Sequence, residues 1–414
     1  MRSTVGIPSY TAGRMSIEHV AQAYAQPVSG QLSNTELYRM AAGRALTPNE
    51  IAKHKAPLGR ACTMHNTFNR KVRWHQQTLR QLGLLERTPG QRSVWQLTAK
   101  GKKQLQTVPD GVVELGFSTE LGVAILGNCR DVFSKINEPV FCVLTSPPYP
   151  LRNPRAYGNP PISEYIDFIC GVLEPIVANL VEGGNVALSL SNDIFEQGSP
   201  ARSLYLERLT IALEDRLGLR LMDRLIWKSN KPPGPYQWAS KERMQLNTAY
   251  EPVLWFSNNP NKCIADNRRV LEPHTAAHKK VIAQGGEKCA RVNGDGAYSI
   301  RHGAFANDTV GRIPKNVLEI GNTCASQRMY KSMAKDLGLP VHGAPMPLAL
   351  ARKLVKFLTD VGQLVVDPFG GSMTTPLASE LEGRRWLATD KVPGFVYGGA
   401  QRFRMCEGFE FGVV

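Results

Sequence analysis

The chain has 414 residues, of which 42% are hydrophobic and 21% charged, and it carries a formal net charge of +15. This length and composition indicate two or three globular domains with a substantial core. The sequence contains no apolar run of about 18 residues, which excludes a membrane-spanning helix, and its first residues lack the apolar segment of a secretory signal. Its eight cysteines show no Cys-x-x-Cys spacing, which argues against a disulfide framework or a structural zinc site and fits a reducing cytosol.

The positive charge is concentrated in one segment. Between Ile51 and Lys103 there are twelve lysines or arginines and one acidic residue, Glu86, so this segment carries +11 of the net charge. A basic surface of this density in a folded segment favours a polyanionic partner, and nucleic acid is the first candidate. The alternative is a solvated basic surface without a partner.

Residues 1–33 are predicted to be a leader with one short helix near Ser16–Ala25, and residues 34–110 to be a small separate domain. Its predicted elements are helices that start at Asn34 and Thr47, a basic helix over 70–82 with apolar residues at 72, 79 and 82 and a stop at Gly83, a hairpin over 84–97 and a helix over 100–105. This pattern resembles winged helix-turn-helix domains, in which a basic helix enters the major groove of DNA and the hairpin contacts phosphate. The alternative is a three-helix structural module.

From about residue 116 the pattern alternates between strands and helices. This predicts an α/β fold, a Rossmann-like and mostly parallel sheet covered on both faces. The predicted strands are 123–126, 140–144, 185–190, 219–228, 251–256, 363–366 and 386–388, and the predicted helices are 163–180, 203–217, 348–358 and 376–381.

Residues 257–340 interrupt this alternation. They are rich in glycine and asparagine and contain thirteen lysines or arginines against seven acidic residues. We expect them to form a basic insertion outside the sheet, between the segments 116–256 and 341–414.

Two loops at the ends of predicted strands are candidates for a functional site. The first, Ser146-Pro147-Pro148-Tyr149, holds a hydroxyl group and an aromatic ring in place, because proline fixes φ and restricts the residue before it. The second, DPFGGSMTT, begins at Asp367 and precedes a helix. Its glycines let the backbone approach a ligand, and open parallel sheets bind cofactors beyond the carboxyl ends of their strands.

The second loop does not have the pattern of a phosphate-binding loop. Asp367 would repel phosphate but suits a cationic ligand. Asp390 follows the next predicted strand and is placed to accept hydrogen bonds from a ribose.

The combination of TSPPY at 145–149 and DPFGGS at 367–372 resembles the DNA amino-methyltransferases that modify cytosine N4 or adenine N6. The order of the motifs is similar to that of their permuted β class, and the resemblance is greatest to the cytosine-N4 enzymes of restriction–modification systems. It extends from Gly122 to Tyr397 through blocks such as EGGNVAL, YEPVLWF and HGAPMP. Met373 stands where the family usually has glycine or asparagine.

The resemblance implies methyl transfer from S-adenosylmethionine to N4 of a cytosine flipped out of double-stranded DNA. Ser146 Oγ and the carbonyl of Pro147 would accept the two amine hydrogens, with Pro148 fixing the loop, and Tyr149 would stack on the base. Asp367 would bind the methionine amino group and Asp390 the ribose hydroxyls. The cofactor-binding set is Asp367, Pro368, Phe369, Gly370, Gly371, Ser372 and Asp390.

The resemblance also divides the chain by function. Residues 116–256 become a catalytic half, 341–414 a cofactor-binding half and 257–340 the region that recognises the target sequence. A cytoplasmic, nucleoid-associated location in a prokaryote or phage is implied, and whether a separate restriction endonuclease is a partner stays open. No metal site is predicted, since His274 and His278 have metal-ligand spacing but neither an intervening glutamate nor a third ligand.

Three alternatives remain open at this point. The first is an adenine-N6 enzyme, although most of these carry aspartate at the position of Ser146. The second is a DNA-binding regulator with an inactive methyltransferase fold. The third, an RNA substrate, is disfavoured because the deep major groove of A-form RNA excludes a recognition helix. The recognition sequence and the oligomeric state are not indicated.

Overall fold

The computed structural model describes residues 20, 21, 23, 24, 31–41, 55–58, 63–105, 107–151, 160–230, 237–337 and 339–412. In the N-terminal part the strands are β1 (Gln31–Ser33), β2 (Lys55–Leu58), β3 (Thr63–Asn66), β4 (Leu85–Arg87) and β5 (Val94–Leu97), and the helices are Asn34–Ala41, Thr67–Gln81 and Ala99–Leu105. An antiparallel sheet has the order β1-β5-β4, and β2 pairs with β3 in a hairpin. The predicted hairpin over 84–97 is confirmed.

The helix Thr67–Gln81 separates an apolar face from a basic one. Its buried residues are Phe68, Val72, Gln76 and Leu79, and its exposed residues are Arg70, Lys71, Arg73, Trp74, Arg80 and Gln81. The side chain of Asn66 caps the start of the helix by accepting from the backbone N–H of Asn69 at 2.9 Å. The predicted stop is confirmed, because Gly83 has a φ of 71°. Leu82, expected on the apolar side, instead lies beyond the helix and is 51% exposed.

The boundary predicted at residue 34 is wrong. Val20, Ala21, Ala23 and Tyr24 are helical and buried in the core of the N-terminal domain. The Gln76 side chain donates a hydrogen bond of 2.7 Å to the Tyr24 hydroxyl, so this segment is part of the domain and not of a leader. The helix predicted to start at Thr47 lies outside the described residues.

The C-terminal part is built on a ten-stranded mixed sheet. Its order is β14-β10-β11-β9-β8-β15-β16-β7-β6-β17. The strands in this part of the chain are β6 (Val113–Ser118), β7 (Gly122–Gly127), β8 (Val140–Thr145), β9 (Leu180–Ser189), β10 (Arg220–Lys228), β11 (Tyr250–Ser257), β12 (Arg291–Asn293), β13 (Tyr298–Ile300), β14 (Val317–Glu319), β15 (Leu364–Asp367), β16 (Arg385–Asp390) and β17 (Glu410–Phe411). The predicted α/β sheet is therefore confirmed.

Helices cover both faces of this sheet. The α-helices are Cys129–Phe133, Ile162–Val177, Tyr205–Leu217, Ala276–Ala283, Ala325–Asp336, Leu348–Leu358, Thr374–Leu381 and Pro393–Ala400, and the short helical turns are Gln237–Lys241, Pro260–Lys262, Asn267–Val270 and Gln401–Phe403. Successive side chains of a strand point to opposite faces. Accordingly, Val143 of β8 packs in the core with Ile162–Val177 and Tyr205–Leu217, whereas Leu144 packs in the core with Leu348–Leu358.

The expectation that residues 257–340 lie outside the sheet is wrong for β14. This strand pairs in parallel with β10, with Leu318 opposite Trp227, and so forms one edge of the sheet. The segment between β11 and β14 contains the helix Ala276–Ala283 and the β12–β13 hairpin, which is separate from the sheet. In the described part of the chain no helix is long and apolar enough to span a bilayer.

Candidate active site

Three polar residues meet where neighbouring parallel strands end. β15 lies between β8 and β16 and runs parallel to both. Their last residues, Thr145, Asp367 and Asp390, therefore lie at the same edge of the sheet. Thr145 Oγ1 donates a hydrogen bond of 2.6 Å to Asp367 Oδ1, although 222 positions separate the two residues in the sequence. This buried contact joins the two loops that the sequence singled out.

The loop Ser146–Tyr149 continues directly from β8. Pro147 is buried, while Ser146, Pro148 and Tyr149 are partly exposed. Ser146 Oγ and the Tyr149 hydroxyl are 3.1 Å apart, and the Tyr149 hydroxyl donates to Glu251 Oε2 at 3.4 Å. Glu251, which sequence reasoning did not select, thus belongs to the same group of side chains.

The glycine-rich turn after β15 is held by the carboxylates of Asp367 and Asp390. The backbone N–H of Phe369 donates to Asp367 Oδ1 at 3.0 Å, and the N–H of Gly371 donates to Asp390 Oδ2 at 2.8 Å. Pro368 is anchored as well, because its carbonyl accepts a hydrogen bond from the Thr389 side chain at 2.8 Å. The predicted cofactor residues from Asp367 to Ser372 and Asp390 therefore form one contiguous edge.

Two features explain the residue types in this turn. Gly371 has a φ of 50°, and a β-carbon there would approach His342 Nε2 to 3.1 Å, so the position favours glycine. Met373, which departs from the family pattern, adopts a φ of 58° and is fully buried. Its side chain occupies the space beside Gly370 and Gly399, where added β-carbons would come within 2.8 and 2.7 Å of it. Met373 therefore adopts a left-handed backbone conformation and fills the space between two glycines.

The carboxyl groups of Asp367 and Asp390 both have raised pKa values. Withdrawal from water raises the pKa of Asp367 to about 6, and the hydrogen bonds from Thr145 and Phe369 only partly oppose this effect. Burial likewise raises the pKa of Asp390 above its ordinary range. Two carboxylates that lose solvation at one edge are stabilised by a nearby cation. The residues present thus fit a ligand with positive charge and hydrogen-bond donors, as a cofactor with an amino group and a ribose would supply.

Arg402, which the motifs did not identify, stabilises the glycine-rich turn through hydrogen bonds to its end. This buried side chain donates from Nη1 to the Ser372 carbonyl at 2.8 Å and to Thr374 Oγ1 at 3.0 Å, and from Nη2 to Ser326 Oγ at 2.8 Å. Burial lowers the pKa of its guanidinium to about 10, a value at which the group is still charged at neutral pH. Arg402 lies thirty positions after Ser372 in the sequence, and no local pattern distinguishes it from surface arginines.

The two histidines with metal-ligand spacing are separate from this edge. The rings of His274 and His278 lie 4.8 Å apart, and His274 Nε2 is 2.9 Å from the Thr309 carbonyl oxygen. No group of three or more metal-ligating side chains occurs among the described residues. A cavity of about 380 Å³ also lies elsewhere, lined by residues such as Trp255, Phe357 and Lys315, and contains none of the predicted site residues.

Comparison with known proteins identifies the family. Residues 140–401 match the N6/N4 DNA methylase family. The chain is 31% identical over 306 residues to the type II methyltransferase M.PvuII of Proteus hauseri, a match that covers 73% of this chain and 86% of the relative. It is 24% identical over 209 residues to the type II methyltransferase M.HindIII of Haemophilus influenzae, covering 46% of this chain and 57% of that protein.

A solved structure agrees with the sequence matches. The PvuII DNA methyltransferase, described as cytosine-N4-specific, superimposes with a TM-score of 0.54 at 28% identity, covering 69% of this chain and 87% of that one. The matched segment contains the two loops and the edge of the sheet described above. The chain therefore belongs to the DNA methylase family and is an S-adenosylmethionine-dependent DNA methyltransferase.

Proposed function

We propose that the chain methylates N4 of a cytosine that is flipped out of double-stranded DNA. The observation that carries this proposal is the position of Ser146, directly after the last residue of β8. Its hydroxyl lies beside that of Tyr149, and the preceding Thr145 is hydrogen-bonded to Asp367. The likeness to a methyltransferase described as cytosine-N4-specific supports the choice of base. The alternative is adenine N6, whose amine presents the same two hydrogens.

The residues of the catalytic loop act by making the amine more reactive. The lone pair of an exocyclic amine is delocalised into the ring of the base. Ser146 Oγ and the carbonyl of Pro147 accept its two N–H hydrogens and so favour the pyramidal nitrogen that the transition state requires. Pro147 and Pro148 hold these acceptors in place before the base arrives. The ring of Tyr149 stacks on the flipped base, a contact worth about 1–3 kcal/mol.

The edge formed by β15 and β16 would hold S-adenosylmethionine, which supplies an activated methyl group. Asp367 would bind the amino group of the methionine part, and Asp390 would bind the ribose hydroxyls. Phe369, Gly370, Gly371 and Ser372 would form the backbone turn that surrounds the cofactor, and Pro368 leads into that turn. This assignment rests on the raised pKa of Asp367 and on the close packing of the turn against His342.

We further propose that the N-terminal domain is a winged helix that binds DNA. The strand order β1-β5-β4 and the position of the helix Thr67–Gln81 before the β4–β5 hairpin support this topology. The exposed side of that helix presents Arg70, Lys71 and Arg73 beside Trp74, which is 66% exposed. Such a face suits contact with phosphates and base edges in a groove.

The choice of target sequence is assigned to the region 257–340, mainly to the part before β14. The β12–β13 hairpin exposes Tyr298 and Val292 at 61% and 70%, and basic side chains such as Lys280 and Arg291 are exposed nearby. We also propose that the methyl mark protects a site cut by a separate restriction endonuclease.

Deleting residues 1–110 would separate general DNA binding by the N-terminal domain from recognition of the target sequence. The choice of methylation site would persist in the deletion variant if residues 257–340 determine it.

Modification sequencing tests the proposed reaction. DNA incubated with the purified protein and S-adenosylmethionine should acquire N4-methylcytosine at one short motif, and Ser146→Ala should abolish the mark. N6-methyladenine would overturn the choice of base, and the absence of any mark on DNA that the protein binds would overturn the proposed reaction.

A further inference from the structure

A chain of hydroxyl groups connects the catalytic loop to a carboxylate on another strand. β11 runs antiparallel to β9, so its first residues lie at the edge where the parallel strands end. Thr145 is aligned with Leu188 and Val253 with Ser189, which brings the start of β11 next to the loop after β8. Here Ser146 Oγ, the Tyr149 hydroxyl and Glu251 Oε2 follow one another at 3.1 and 3.4 Å.

The carboxylate at one end fixes the direction of these hydrogen bonds. An ionised carboxylate can only accept, so the single proton of the Tyr149 hydroxyl points to Glu251. When the Tyr149 proton is directed at Glu251, the contact between Tyr149 and Ser146 uses the Ser146 proton, with the Tyr149 oxygen as the acceptor. The remaining lone pairs of Ser146 Oγ are left to accept from a substrate. The orientation that an amine hydrogen requires is therefore set by a residue much further along the sequence, on β11.

We infer that Glu251 positions Ser146 through Tyr149 and is the final acceptor of the proton that leaves the target amine. This inference rests on the proposed methyl transfer to an exocyclic amine. It answers a chemical question that Ser146 alone leaves open, because a serine hydroxyl is too weak a base to keep the proton.

The proton balance is complete within this group of residues. Methyl transfer breaks the bond between sulfur and the methyl carbon, forms the bond between carbon and N4, and leaves N4 with two hydrogens and a positive charge. N4 then loses one proton to Ser146 Oγ, the Ser146 proton moves to the Tyr149 oxygen, and the Tyr149 proton moves to Glu251. The products are a neutral methylated amine, a neutral thioether and a neutral carboxylic acid. The positive charge lost from the cofactor is matched by the negative charge lost from Glu251.

The geometry is compatible with proton transfer on base binding. The distance from the Tyr149 hydroxyl to Glu251 is long for an O–H donor, whose usual range is about 2.5–3.0 Å. Catalytic hydrogen bonds are often long in free enzymes and shorten in the complex with substrate. A base stacked on Tyr149 would restrict that ring and the direction of its hydroxyl.

The test combines Glu251→Gln, Tyr149→Phe and the double variant, with Glu207→Gln on an exposed helix surface as the matched control. The Glu251→Gln substitution keeps the size of the side chain and an acceptor oxygen, but the amide cannot take up a proton. The Tyr149→Phe substitution keeps the stacking ring but breaks the chain of hydroxyl groups. Single-turnover methylation rates, melting temperatures and DNA affinity without cofactor are measured for each. Product analysis of the wild-type reaction identifies the methylated base.

We expect each single substitution to lower the single-turnover rate by about 10²-fold, as for removal of a general base. The double variant should be no slower than either single variant, because both break the same route. Cofactor-free DNA affinity and melting temperature should stay within the range of the Glu207→Gln control. A rate within about threefold of wild type for Glu251→Gln, or multiplied losses in the double variant, would overturn the inference while leaving the reaction intact. No transfer by the wild-type protein would overturn both.

Discussion

Cofactor affinity should depend on pH through Asp367. Burial raises the pKa of this carboxyl to about 6, so most of the cofactor-free protein carries a neutral Asp367 at pH 5. A neutral carboxyl group cannot pair with the protonated amino group of the cofactor. For one group of pKa about 6 that must be ionised, the apparent Kd is multiplied by about 11 at pH 5 and about 1.1 at pH 7. Binding should therefore weaken roughly tenfold between these pH values.

The stability of the cofactor-free protein should change in the opposite direction. The pKa of Asp367 in the folded state lies above the unfolded value of about 3.9, so the folded state binds this proton more tightly. The favourable contribution of the protonated group is present at low pH and is lost as the pH rises from about 4 to about 6. A shift of about two pKa units corresponds to about 3 kcal/mol of unfolding free energy. A cofactor cation that stabilises the ionised form offsets this loss.

Titration calorimetry with S-adenosylmethionine at pH 5, 6 and 7 measures the first effect, and denaturant unfolding without cofactor measures the second. Asp367→Asn should bind weakly and lose both pH dependences, while Asp215→Asn, an exposed helix position, should retain them. The reasoning would be refuted by a wild-type Kd that stays within about twofold from pH 5 to pH 7. If Asp367→Asn kept the wild-type dependence of Kd or of unfolding free energy on pH, that dependence would belong to another ionisable group.

Three further variants test the scaffold and the N-terminal domain. Thr145→Val should cost about 1.5–3 kcal/mol of unfolding free energy, since it removes a buried hydrogen bond to a carboxylate; an unchanged denaturant midpoint would contradict this. Arg402→Met should cost about 1–3 kcal/mol, because the buried Ser372 carbonyl loses its donor, and a melting curve equal to wild type would argue against that role. The pair Arg70→Gln and Arg73→Gln should reduce the slope of log affinity for DNA against log salt by about 1.8. A constant slope in anisotropy titrations would place this helix face away from the phosphates.

The elements that the sequence predicted well are those with a strong local signal. The helix Leu348–Leu358 has the predicted bounds, because its apolar residues follow the helical period and Pro347 precedes its first residue. The strands β8 and β15 were equally clear, since each is a largely apolar run in which all residues but Phe141 are buried, and each is followed by a proline-containing or glycine-rich loop. Parallel strands in such a fold end at one edge, but the sequence indicated a joint site only through the resemblance of the two motifs to the methyltransferase family.

The elements that were missed depend on contacts between distant residues. β14 has only three residues and forms because Trp227 and its neighbours on β10 offer an open edge about ninety positions earlier. Tyr24 precedes the predicted domain boundary, yet it is buried through its contact with Gln76, 52 positions away. Glu251 is a single charged residue at the start of an apolar strand, and Arg402 is one of two arginines in the stretch Gln401–Arg404. Their roles arise only when the sheet brings β11 to the catalytic loop and the C-terminal turn to Ser372.

The bond between Thr145 and Asp367 gives the site a property that neither motif has alone. It fixes the last residue of β8, directly before Ser146, to the carboxylate proposed to bind the methionine amino group, so a change in one residue affects the other. The hydrogen bond from Thr145 lowers the pKa of Asp367, and its removal should therefore move the pH dependence of cofactor binding upward as well as loosen Ser146. Protonation of Asp367 in turn weakens this hydrogen bond, because a neutral carboxyl group is a weaker acceptor than a carboxylate. Because β8 and β15 are neighbours in the sheet, this coupling does not depend on which motif comes first in the chain.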